Sequence, residues 1–202
     1  MAYRSSEKTR QKKDAKRTAM MQAAVQVFAE KGYHAATVRD VVNQAGVAIG
    51  TFYFYFPDKE TLFVYLYEET SDFLMQTLQQ AVNQQTELTR QVAAGVQAYV
   101  NLAVYEPAIV QLLLVGGVGA VPSLNEKRVQ FRERMIAMWK RVIDTVGHER
   151  SRHAAEMLAG GYDEMILNLL ALRNPDAQAT NTIESMVALG LQMVGVESAD
   201  AE

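Results

Sequence analysis

The sequence predicts an all-α fold, and three observations carry that prediction. Apolar residues recur at spacings of three and four in successive windows, the period of an α-helix. Proline, glycine and short polar runs separate those windows where helix ends belong. No stretch alternates apolar and polar residues between hairpin turns. The 202 residues, 49% hydrophobic and 21% charged, supply apolar material for one large core or two smaller ones, a globular composition.

Residues 1–14 read as a flexible basic arm, with Arg4, Lys8, Arg10, Lys12 and Lys13 among few apolar side chains. Lys16 and Arg17 continue the charge into a first helix over residues 15–31. Its apolar stripe is Met20, Ala23, Ala24, Val27 and Phe28, and Gly32 ends it. The polar, basic start holds no apolar segment of the kind that targets a chain for export, so a cytoplasmic protein is expected.

The most informative stretch is residues 37–62. Thr37 is placed to cap a helix over 38–45, with Asp40 three residues on and Val38, Val41 and Val42 as its apolar face. Gly46 ends that helix, and a second short helix follows over 48–55 until Pro57-Asp58 stops it. Two helices joined by a tight glycine-containing turn form the helix-turn-helix pattern, whose second helix enters the DNA major groove. The expected domain of this kind spans residues 15–57.

Residue chemistry assigns candidate DNA contacts. Gly50, lacking a side chain, allows close approach to a duplex. Thr51, Tyr53 and Tyr55 bring hydroxyls for phosphates or base edges, and Tyr53 adds an apolar face for a thymine methyl. Arg39 is the candidate for a bidentate contact to guanine, and Ile49 reads a methyl group or shape. Lys59, opening the next helix, combines its ammonium with free backbone N–H groups to meet a phosphate. Thr37 and Ala48, at the two helix starts, complete the set, while Phe52 and Phe56 are expected to face inward.

Beyond this, helices are expected at 58–82, 88–104, 107–116, 122–146, 151–173 and 178–195, forming a body over residues 58–197. Prolines 107 and 122 fall in first turns, and Gly147 and Asn174 where C-terminal caps belong. Charge divides along the same line. Residues 1–59 hold ten Lys or Arg against five Asp or Glu, a net +5, whereas residues 60–202 carry −8. A basic head on an acidic body suits a small nucleic-acid-binding domain joined to a non-binding one.

The stretch around 37–62 also resembles the DNA-binding motif of the TetR (TetR/AcrR) family of bacterial regulators. The matching residues are Thr37, Ala45-Gly46-Val47, Gly50-Thr51, Tyr53, Phe56, Lys59-Glu60 and Leu62, with Ala24, Phe28 and Lys31-Gly32-Tyr33 upstream. The sequence departs from the family pattern at Ala48, where a capping serine is usual, at Phe54 for Tyr or Trp, and at Tyr55 for His. The resemblance implies a homodimer formed through helices 151–173 and 178–195, a palindromic double-stranded DNA operator, and a small-molecule effector in the body. Helix 58–82 is then the lever between head and body.

An interior rich in aromatic and methionine side chains suits an apolar or amphipathic effector. The candidate pocket residues are Tyr99, Tyr105, Gln111, Phe131, Met135, Trp139 and Tyr162. Such stripes are more often simply core. The stripes of the last two helices include Gly161 and Gly190, small residues that let helices approach closely.

Other chemistries find little support. With no cysteine, disulfides and thiolate metal sites are excluded. Gly116-Gly117-Val118-Gly119 lacks the Lys-Ser/Thr and preceding strand of a phosphate loop and reads as a turn. His148, Glu149, His153 and Glu156 have helical spacing but read as a charged helix start, so no metal is expected. Residues 107–125 lack charge, yet Pro107, Gly116, Gly117, Gly119 and Pro122 interrupt any membrane-spanning helix. No nucleophile–base set is visible and no cofactor is called for. The expectation is a ligand-responsive homodimeric repressor rather than an enzyme; the alternative is an all-α ligand-binding protein or enzyme with an incidental basic arm.

Overall fold

The computed structural model describes residues 2–147 and 151–196, with side chains described for residue 11 and from 14 onward. All regular structure among them is helical: α1 (Ala2–Ala35), α2 (Val38–Ala45), α3 (Ile49–Tyr55), α4 (Lys59–Asn83) and α5 (Leu88–Tyr105). There follow α6 (Pro107–Leu114), α7 (Leu124–Asp144), α8 (Ser151–Leu170), a short 3-10 turn at Asp176–Gln178, and α9 (Ala179–Met193). The all-α expectation holds.

From α2 to α9 the helix ends fall within three residues of the sequence reading, and two features depart from it. The backbone is helical from Ala2, where an irregular arm was expected to residue 14. Lys, Arg, Gln, Glu and Ala are strong helix formers, and no glycine or proline precedes Gly32, so propensity carries the helix back without an apolar stripe. At Gly32 the backbone leaves helical geometry (φ 71°, ψ 165°), which is where the first helix was expected to end. Pro122 lies in a turn before α7 instead of within its first helical turn.

The chain forms two compact units. The first comprises residues 1–69 and 111–125, the second residues 70–110 and 126–202. These units are defined by packing, whereas the segments 1–14, 15–57 and 58–197 expected from sequence are defined by role.

In the first unit, Met20, Ala24, Val27 and Phe28 of α1 are buried together with Val41, Val42, Phe52, Phe56, Leu62 and Phe63. Phe28 meets Phe63 edge to face at 4.7 Å, and Phe63 meets Tyr33 at 5.0 Å. Gly117 (φ 67°) lies against this cluster, because a Cβ there would come within 2.6 Å of the Phe63 ring. The Gly116–Gly119 segment is thus a turn fitted to an aromatic cluster.

In the second unit α5, α8 and α9 pack around Tyr99, Trp139, Tyr162 and Met186, all buried. The Tyr162 hydroxyl donates to the Met186 carbonyl at 2.9 Å. Gly190 is required beneath it, since a Cβ there would collide with that hydroxyl. Of the two glycines expected to permit close helix approach, Gly190 does so inside the unit, while a Cβ added at Gly161 would meet no other element of the chain within 4 Å. No helix among the described residues is long and apolar enough to cross a membrane.

Candidate nucleic-acid interface

Local signals build α2 and α3. Thr37 is extended (φ −119°, ψ 159°), and its hydroxyl accepts the Asp40 N–H at 3.1 Å. The Asp40 carboxylate reaches back to the Thr37 N–H at 2.9 Å, completing a capping box. Lys31 pairs with the same carboxylate at 2.7 Å. These bonds, the one to the Lys31 ammonium first, hold the Asp40 carboxyl down at about 2. Gly46, at φ 65°, ends α2, with its N–H bonded to Asn43 and the Val47 N–H to Val42.

Helix α3 follows after two residues. Phe52 is fully buried and Phe56 nearly so, as expected, and they anchor one side of it. Ile49, Gly50, Tyr53 and Phe54 are exposed, at spacings of one, four and five residues that place them on a single face. Tyr53 is 56% exposed and Phe54 67%. Thr51 and Tyr55 flank this face, each half-buried. Ala48 makes no side-chain cap, so the loss expected from its departure from serine is present in the geometry.

The other candidates separate. Arg39 is exposed on α2. The Thr37 hydroxyl is engaged in the capping box, donating to Asp40 at 2.8 Å while it accepts the Asp40 N–H. The Lys59 ammonium, expected to await a phosphate, instead donates to the carbonyls of Tyr33 (2.6 Å) and Ala36 (2.9 Å). Sequence reasoning missed Phe54 as part of the exposed face, although its spacing from Ile49 and Gly50 carried the signal. It also missed Tyr33 and Lys31 as the partners that hold the segment before α2.

The seven effector-pocket candidates do not share one cavity. Tyr99, Phe131, Met135, Trp139 and Tyr162 are all buried in the second unit, and the Trp139 and Tyr162 rings meet at 5.3 Å. Tyr105 is 74% exposed at the end of α5, where it lines a separate open cavity of about 400 Å³ with Gln97, Asn101 and Ile183. Gln111 belongs to the first unit, where it lines an apolar cavity of about 220 Å³ with Phe28, Tyr33 and Phe63. Asp163 was not foreseen. Its carboxylate accepts the Tyr99 hydroxyl at 2.8 Å and lies 3.5 Å from Arg132. Burial pushes its carboxyl up to about 6 against the opposing effects of Tyr99 and Arg132.

Of the suspected metal ligands, His148 and Glu149 lie outside the described residues, and Glu156 is paired with Arg152 at 2.6 Å. No metal-binding cluster occurs among the described residues.

Comparison with known proteins points one way. Residues 20–66 match the model of the bacterial regulatory proteins of the tetR family. The fatty acid metabolism regulator protein of Bacillus subtilis is 31% identical over 83 residues, covering 41% of this chain and 43% of that protein. The chain therefore spans less than half the length of that relative. The transcriptional activator FasR of Mycolicibacterium smegmatis is 25% identical over 151 residues, covering 74% of this chain and 68% of FasR. Among solved structures, the regulator FadR of Bacillus subtilis in complex with stearoyl-CoA shares the fold. Its TM-score is 0.71 at 21% identity, with 85% of this chain and 97% of FadR covered.

Proposed function

We infer that this chain, whose residues 20–66 match the model of the tetR family of bacterial regulatory proteins, is a sequence-specific DNA-binding transcriptional regulator, a homodimeric repressor released from its operator by an apolar or amphipathic small molecule. The observation that carries this reading is the exposed face of α3. Ile49, Gly50, Tyr53 and Phe54 stand out from a helix whose other side is anchored by Phe52 and Phe56. Methyl, ring and hydroxyl groups on one narrow helix face are what a major groove accommodates, and an open glycine lets the helix backbone approach the duplex.

A helix-turn-helix regulator reads two half-sites about one helical turn apart, or a multiple of it, and so works as a two-fold dimer. Met157 on α8 and Leu189 on α9 support these helices as the dimer surface, being large apolar residues left 63% and 53% exposed, with Leu172 just beyond α8 at 46%. The cytoplasm, where operator DNA is found, is the proposed location. For the effector, the aromatic interior around Tyr99, Trp139 and Tyr162 and the stearoyl-CoA bound by FadR favour a molecule with a long apolar portion.

Release requires the effector to bind two states unequally, with coupling of about 5–150-fold typical. Helix α4 contributes residues to both compact units and is the proposed lever. Fluorescence anisotropy with duplexes from the chain's own genomic neighbourhood tests the reading. Tyr53→Ala should weaken binding by about 1–3 kcal/mol, the cost of a lost base contact. Equal binding by wild type and variant to every duplex would contradict it.

A further inference from the structure

We propose that Lys59 is a positioning residue of the DNA-binding head and not a phosphate contact: its ammonium fastens the end of α1 to the start of α4 and so fixes how α2 and α3 are presented. The proposal rests on the DNA-binding reading above and concerns how that site is held.

At Gly32 α1 breaks, and a last turn runs to Ala35. Carbonyls at a helix end lack intrahelical partners and carry the negative end of the helix dipole. Ala36 supplies one partner, its N–H bonding the Gly32 carbonyl at 3.2 Å. The carbonyls of Tyr33, His34 and Ala36 converge instead on Lys59, at 2.6, 3.5 and 2.9 Å from its ammonium nitrogen. An ammonium has three protons and no acceptor; the Tyr33 and Ala36 carbonyls take two of them, and His34 stands at the outer limit of a third bond. The same nitrogen lies 4.3 Å from the centre of the Tyr33 ring, a cation–π contact. A phosphate could take this ammonium only by drawing it from carbonyls that already use its donors.

Position in the chain gives the clamp its consequence. Thr37, the cap of α2, directly follows the clamped carbonyls, and Lys31 ties the end of α1 to Asp40 of α2. Asp58 caps the other end of the clamp, its carboxylate accepting the Thr61 N–H at 2.7 Å. The segments entering α2 and leaving α3 therefore meet at one side chain.

Lys59→Met and Lys59→Arg separate geometry from charge. Arginine keeps the charge and can still reach a phosphate, but its planar fork does not fit three carbonyls converging on one point. Affinity for the selected operator is measured across a salt series, at a temperature where circular dichroism shows each variant folded. Positioning predicts that both variants lose affinity by about tenfold or more, with an unchanged slope of log affinity against log salt. A phosphate contact predicts wild-type behaviour for Lys59→Arg and, for Lys59→Met, a slope smaller by about 0.9 per phosphate. That result would overturn the proposal.

Should a variant fail to fold, the wild-type chain still decides. Amine acylation read by mass spectrometry should find Lys59 slow to react and unchanged by DNA. Rapid labelling that DNA then blocks would overturn the clamp. If the wild type selects no operator at all, the regulator reading fails, while the labelling rate of Lys59 in the free protein still reports on the clamp.

Discussion

A glycine in a helix costs about 0.5–1 kcal/mol relative to alanine, and nothing inside the protein requires one at Gly50. Its φ is not positive, and a Cβ there would meet no atom within 4 Å. Stability and function should therefore move in opposite directions. Gly50→Ala is expected to raise unfolding free energy by up to about 0.5–1 kcal/mol in a denaturant titration while weakening operator binding. A variant that gains in both would remove the argument for close approach at this residue. Asp163 provides a second test. Its carboxyl, raised to about 6, lies above the unfolded value, so its contribution is fully present below about pH 4 and is lost as pH rises through 6. Wild type should lose roughly 1–3 kcal/mol of stability between those limits relative to Asp163→Asn, a difference read from thermal melts at pH 4 and pH 7. Sequence could name Tyr99 but not its partner, because the two residues lie 64 positions apart and meet only through helix packing. The partners of Lys59 were illegible for the same reason: they lie 23 to 26 residues upstream, and a lysine at a helix start carries no mark of what it caps.

Helices were legible where their signals are local. Thr37, Asp40 and Gly46 are punctuation read within a few residues, and α2 falls over Val38–Ala45 as expected. Helix α3 was legible despite its missing cap, since the flanking Gly46 and Pro57 confine it. The start of α1 was not, because a basic run without apolar periodicity resembles an arm even when its residues favour helix. Capping differences give paired expectations for chemical denaturation. Ala48→Ser should stabilise the head, and Thr37→Ala should destabilise it, each by about 1 kcal/mol. The pH dependence of the α2 cap has its own sign. Asp40 is depressed to about 2, so its contribution is present above about pH 4 and lost as pH falls through 2. Carboxyl chemical shifts across that range should place its midpoint well below that of an unperturbed aspartate.

Across the molecule, charge and exposed apolar surface assign the roles that individual side chains cannot. The net +5 of residues 1–59 against −8 beyond them directs a polyanion toward the head. On the proposed reading, the open positions on α8 and α9 receive a second copy of the chain. Met157→Arg with Leu189→Arg should convert a dimer to a monomer in sedimentation without unfolding it, as both residues are more than half exposed. Gly190→Ala should instead lower stability, since its Cβ would strike Tyr162 within the same chain. Whether the head reads a DNA sequence is decided by selection of bound DNA from a random duplex pool at several salt concentrations. The expected result is an enriched palindrome whose affinity falls steeply with salt and whose enrichment disappears in Tyr53→Ala. No enriched sequence, with wild type and Tyr53→Ala equally weak at every salt concentration, would contradict it.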